Sequence, residues 1–195
     1  MPGITMDGSR NYIVSGLERS GTSMMMQILH SAGVPVAFDN SRLADENNPK
    51  GYFELEGGKI IGRLMDGTFS LDEYRGCFLK ITAYGLKYLP PGNYSIIYCI
   101  RDIEEVLNSM SKMAGTVDDD RDATRKAFVK MDASRKNLLK GRNDTTVLFM
   151  NYNDILSSPE ANLKSLCEFL EIPKNFLSEM RSVVDTSLYR QRGRL

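Results

Sequence analysis

The run Tyr94-Ser95-Ile96-Ile97-Tyr98-Cys99-Ile100 is apolar at nearly every position. A strand with one face in water alternates polar and apolar side chains, whereas a strand covered by helices on both faces does not. Cys77-Phe78-Leu79-Lys80-Ile81 is a second such run, and Thr145-Thr146-Val147-Leu148-Phe149-Met150 is a third, β-branched one. Tyr12-Ile13-Val14-Ser15-Gly16 reads as a short strand and Gly33-Val34-Pro35-Val36-Ala37 as another. Helical spacing fills the intervals, at residues 23–30, 59–65 and 103–110, and again from the acidic start Asp118-Asp119-Asp120 to about Lys140. Pro159 opens a further helix carrying Leu163, Leu166, Phe169 and Leu170, and Pro173 ends it. Strands alternating with helices predict an α/β fold of three layers, a mostly parallel sheet with helices on both faces. Ligands of such sheets bind beyond the carboxyl ends of the strands.

The segment between the first strand and its helix is Gly16-Leu17-Glu18-Arg19-Ser20-Gly21-Thr22-Ser23. A glycine-containing loop there can wrap an anion, because free N–H groups at a helix N-terminus point into it and the dipole favours negative charge. Its spacing matches the phosphate loop G-x-x-x-x-G-K-[ST], except that Thr22 replaces the lysine. Nucleoside triphosphatases use that lysine on the β- and γ-phosphates, so its loss speaks against ATP or GTP chemistry. The positive charge has moved to Arg19, whose guanidinium can fork onto two oxygens of an anion. The plain alternative is a tight turn with a serine cap.

The 195 residues predict a single domain over 1–195, and 25 basic against 25 acidic side chains give no net charge. A protein that holds nucleic acid through bulk positive field needs a basic face, so that class is set aside, while a local basic pocket is not. Cys77, Cys99 and Cys167 are odd in number and embedded in apolar runs, which predicts buried reduced thiols and a cytoplasmic setting. No apolar stretch reaches membrane-spanning length, and residues 1–12 lack a signal pattern. The single histidine, His30, reads as a helix-face or packing residue, and no metal-ligand spacing is present.

A second candidate for holding an anion lies in Ile100-Arg101-Asp102, where the arginine ends an apolar strand and Ser109 follows two helical turns later. Together with Arg19-Ser20-Gly21-Thr22-Ser23, this resembles the sulfotransferases that use 3′-phosphoadenosine 5′-phosphosulfate (PAPS). Their first motif is a strand followed by R/K-S-G-T/S-T/S and a helix; their second is an apolar strand ending in R-D with a serine eight positions after the arginine. Asn151-Tyr152-Asn153-Asp154-Ile155 through Pro159, followed by Phe169-Leu170, is similar to a third family segment. The resemblance spans residues 11 to 172 and implies a P-loop nucleotide hydrolase-like fold. It further implies that Arg19, Ser20, Gly21, Thr22 and Ser23 cradle the 5′-phosphosulfate, that Arg101 and Ser109 hold the 3′-phosphate, and that Tyr152 lies near the adenine. PAP is then the product, no metal is needed, and the acceptor is a small molecule, carbohydrate or other carrier of a hydroxyl or amine. A homo-oligomer stays open.

The sequence departs from the family where cytosolic members carry a catalytic histidine two residues after a strand-end lysine. Here the lysine is Lys80, and Thr82 stands in the histidine's place. Other branches use a glutamate, and Glu54 in Asn48-Pro49-Lys50-Gly51-Tyr52-Phe53-Glu54 resembles theirs, with Glu56 and Asp39 as further candidates. Glu54 reads equally as a surface or capping acid, and Lys80 either steadies the leaving oxygen or snorkels. Arg190 or Arg192 closes the 3′-phosphate site, or the basic tail is solvated. The rival readings are a nucleotide-kinase type phosphotransferase and a nucleotide-binding protein without catalysis.

Overall fold

The chain runs through β1 (Asn11–Gly16), α1 (Thr22–Ser31), α2 (Ile60–Met65), β2 (Phe78–Lys80), β3 (Tyr94–Ile100), α3 (Ile103–Ala114), α4 (Arg121–Lys140), β4 (Thr145–Asn151), α5 (Tyr152–Ser157), α6 (Pro159–Leu170) and α7 (Leu177–Ser182) in the computed structural model. Residues 4–116 and 118–188 are described. The four strands form one sheet in the order β2-β1-β3-β4, with every neighbouring pair parallel. Consequently β1, β2, β3 and β4 all end at one edge, and the segments after them gather there. In this strand order the crossover direction reverses between β1 and β3, the usual ligand crevice of an open α/β sheet.

The alternation of side chains across the sheet explains the doubly apolar runs. Tyr12, Val14, Ile97, Cys99 and Met150 face a core shared with Met25, Met26 and Leu29 of α1 and Leu163, Leu166 and Cys167 of α6. Ile13, Ile96 and Tyr98 face the opposite core, built with Ile60 and Leu64 of α2 and Leu139 of α4. Helices therefore cover both faces, as the strand composition requires. The fold is the expected α/β arrangement, and the sheet is parallel throughout.

Three local expectations change. Residues 33–37 form no strand, because Val36 makes a single bridge to Phe78 and Pro35 has no N–H with which to extend it. Cys77 is partly exposed, whereas Cys99 and Cys167 are buried and all three are free. Pro159 does start α6, but the helix stops at Leu170, before Pro173, with Glu171 in a left-handed conformation. Asp120 caps α4 by accepting from the Ala123 N–H, so the acidic run serves as a helix start. His30 is exposed at the end of α1, with its ring against Phe38 and Phe53. Arg190 and Arg192 lie outside the described residues. Among those described, no helix is long and apolar enough to cross a membrane.

Candidate functional site

The first intrahelical bond of α1 runs from the Met25 N–H to the Gly21 carbonyl, 3.0 Å. The N–H groups of Thr22, Ser23 and Met24 thus have no acceptor within the helix. No side chain caps this end, and its first turn carries no acid. That removes the serine-capped turn as an account of the segment and leaves an uncompensated positive helix terminus. The loop reaches it through two left-handed residues, Arg19 (φ 64°) and Gly21 (φ 102°). The Ser20 hydroxyl is buried and has no hydrogen-bond partner.

Arg19, Arg101 and Ser109 form one cluster. Arg19 Nε donates to Ser109 Oγ (2.8 Å), and its terminal nitrogen donates to the Asn47 carbonyl (3.3 Å). Arg101 donates to the Arg19 carbonyl (3.0 Å) and pairs through Nε with Glu105 (3.0 Å), with their side chains 7% and 4% exposed. Its guanidinium lies 4.3 Å from the centre of the Tyr152 ring. Burial draws the Arg19 guanidinium below its ordinary pKa and pushes the Tyr152 phenol above its own.

Lys80, at the end of β2, is the second focus. Its Nζ donates to Ser23 Oγ (3.0 Å), the Tyr52 carbonyl (3.0 Å) and Glu54 Oε1 (2.8 Å). The side chain is 5% exposed and that of Glu54 10%, so Lys80 does not snorkel and Glu54 is not a surface acid. Burial lowers the Lys80 pKa, and the adjacent Glu54 carboxylate works against that shift. The other carboxylate candidates point elsewhere. Asp39 accepts from the backbone N–H groups of Ser41 and Glu56, and Glu56 pairs with Arg63.

Both foci open on one cavity of about 330 Å³, a size at which small ligands are held. Arg19, Gly21, Thr22, Ser23, Glu54, Lys80, Arg101, Ser109 and Tyr152 all line it, whereas Ser20, Asp39 and Glu56 do not. Arg42 lines it too, and sequence reasoning missed it. Its guanidinium sits 3.5 Å from the centre of the Tyr52 ring and bonds Glu54 Oε2 at 3.1 Å. A lone arginine in a polar loop carries no signal of this. Chemically, the cavity brings together an uncapped helix terminus, two arginines, and a lysine and carboxylate joined to that terminus through Ser23. That combination suits transfer of a charged group between oxygens. The fit to a nucleotide bearing a terminal anion rests on the uncapped amides and the arginine cluster.

Solved structures share the fold. The sulfotransferase domain of the Synechococcus PCC 7002 olefin synthase is 13% identical over 98% of this chain and 86% of its own, with a TM-score of 0.55. Sulfotransferase STF9 from Mycobacterium avium is 12% identical over 94% of this chain and 69% of its own, with a TM-score of 0.54. Mouse sulfotransferase SULT7A1, complexed with PAP, is 11% identical over 97% and 68%, with a TM-score of 0.53. No curated protein sequence matches. The sulfotransferase domain family, by contrast, matches residues 9–191. With that match over almost its whole length, the chain belongs to the sulfotransferase domain family, the enzymes that transfer a sulfuryl group from PAPS.

Proposed function

We propose that this chain is one sulfotransferase domain that binds PAPS in the cavity at the ends of β1, β2 and β3 and sulfates a hydroxyl, or an amine, of a small or carbohydrate acceptor. The observation that carries the reading is the uncapped N-terminus of α1 sharing a cavity with the buried Lys80–Glu54 pair. The crystallisation of the mouse relative with PAP supports the choice of nucleotide.

In this reading Arg19 and residues 20–23 hold the 5′-phosphosulfate, and Arg101, Ser109 and Tyr152 the 3′-phosphate and base. A ligand with about four negative charges needs several fixed donors, which loop amides and two arginines supply. PAPS contributes an activated sulfuryl group. In one in-line step the acceptor oxygen bonds to sulfur while the bond from sulfur to the 5′-phosphate oxygen breaks, giving a sulfate ester and PAP. Glu54 takes the acceptor proton, and Lys80 neutralises charge growing on the leaving oxygen. The nucleotide and the acceptor bind as small molecules, with no part for nucleic acid.

The test pairs a thermal shift with turnover. PAP at about 100 times its Kd should stabilise the folded chain by about 2.7 kcal/mol, and its Tm should rise accordingly. PAPS should be converted to PAP in the presence of at least one member of a panel of phenols, sugar alcohols and amines. Stabilisation without turnover across the panel favours a nucleotide-binding protein without catalysis, and no stabilisation rejects the donor assignment.

A further inference from the structure

Glu54 is held at both oxygens by cations, and the two are built differently. Lys80 takes Oε1 from the buried strand side. Arg42 takes Oε2 from the loop side, and its half-exposed guanidinium is fixed by stacking at 3.5 Å on Tyr52. Tyr52 is in turn anchored through its hydroxyl to Asp45, at 2.8 and 2.9 Å to the two carboxylate oxygens. Residues 45, 52, 42 and 54 thus form a chain of contacts within one loop, with the Arg42–Glu54 bond as its last link. A carboxylate has about four acceptor positions, so one bond to each oxygen leaves two for a substrate while removing the freedom to rotate. Arginine suits this task, since its planar fork can stack and donate together, which lysine cannot.

We propose that Arg42 is a positioning residue for sulfuryl transfer, locking the Glu54 carboxylate in the orientation that receives the acceptor proton. The proposal rests on the reading of Glu54 as the base. Within the cavity the Arg42 guanidinium is bonded to Glu54 and stacked on Tyr52, and in this proposal it acts through Glu54. Its influence therefore falls on kcat with saturating acceptor and leaves PAP affinity as it was.

The experiment uses the full chain, PAPS, and the panel acceptor that the unaltered protein sulfates fastest. Arg42→Met keeps an apolar stem against the Tyr52 ring and removes the donor to Glu54. It is expected to lower kcat at least tenfold with PAP affinity, measured by calorimetry, changed less than twofold. Arg42→Lys, which restores a charged donor without the stack, should recover part of the loss. Asp45→Ala loosens the anchor of Tyr52 but keeps the Arg42 donor to Glu54, so it should lower kcat clearly less than Arg42→Met does. If Asp45→Ala and Arg42→Met reduce kcat equally, Arg42 is only a loop staple and the proposal is overturned. In a Glu54→Gln background Arg42→Met should cost nothing further; an equal loss in both backgrounds overturns the positioning role and leaves the base assignment standing. Glu54→Gln with full turnover, or an unaltered protein that sulfates no member of the panel, removes the base reading itself and the proposal with it. Should Arg42→Met fail to fold, the comparison of Arg42→Lys with the unaltered protein carries the test, and unchanged kcat with a lowered Tm overturns it.

Discussion

Gly21→Ala should weaken nucleotide binding by at least about 100-fold while leaving most of the fold intact. At φ 102° the backbone of Gly21 occupies a region that side-chain-bearing residues rarely adopt. A Cβ there would meet Tyr152 Cδ2 at 2.5 Å, so either the loop or the tyrosine must move. The backbone cost is about 1–2 kcal/mol, and forcing the contact adds about 1–3 kcal/mol. For a chain of this size each kcal/mol is worth about 2–4 °C in Tm, so a fall on the order of 10 °C is expected. The functional effect is larger. Displacing Gly21 turns the first amides of α1 away from the anion, and hydrogen bonds to charged groups are worth about 1.5–3 kcal/mol each. Losing two weakens PAP by at least about 100-fold, and calorimetry with circular dichroism separates this from unfolding. Unchanged PAP affinity in a folded Gly21→Ala protein would place the nucleotide elsewhere.

Glu54→Gln should remove both turnover and a large part of the stability. General base catalysis contributes about 100- to 10,000-fold, so kcat should fall by that order while PAP still binds. The same change strips the buried Lys80 ammonium of its anion, and breaking a buried pair from one side costs about 3–5 kcal/mol. Lys80 has its pKa lowered by burial already, with Glu54 opposing the shift, so removing Glu54 lowers it further. The sign of the pH dependence follows. Below its lowered folded-state value, Lys80 is a charged and costly group in the fold. Between that value and the ordinary 10.5 the unfolded chain binds more protons than the folded one, so the stability of Glu54→Gln rises with pH across that window. Adding Lys80→Met should restore stability without restoring turnover. A Glu54→Gln protein as stable and active as the original contradicts both the pairing and the catalytic role.

Much of this site was readable in the sequence because its parts sit at strand ends, where local pattern and tertiary position coincide. Arg19, Gly21 and Thr22 follow β1 directly, Arg101 follows β3, and Lys80 ends β2, so a parallel sheet alone brings them to one edge. The failures have physical causes of their own. Residues 33–37 have strand composition, but Pro35 cannot donate, and only Val36 bridges to β2. The six-residue α5 is too short for periodicity and is set by the Asn151 side chain accepting from the Asn153 and Asp154 N–H groups. The tie between Arg19 and Asn47 joins residues far apart in the chain through a loop backbone carbonyl, which no side-chain pattern records. Arg42 was invisible for a related reason: its role depends on a stack with Tyr52, ten positions later across an irregular loop.

Titration calorimetry of the unaltered protein with PAP, ATP and GTP in parallel, without magnesium, tests the central claim most directly. The account predicts that PAP binds more tightly than either triphosphate, because Thr22 replaces the lysine that a triphosphate requires and Arg19 and Arg101 converge on the cavity. Tighter binding of ATP or GTP than of PAP would contradict it.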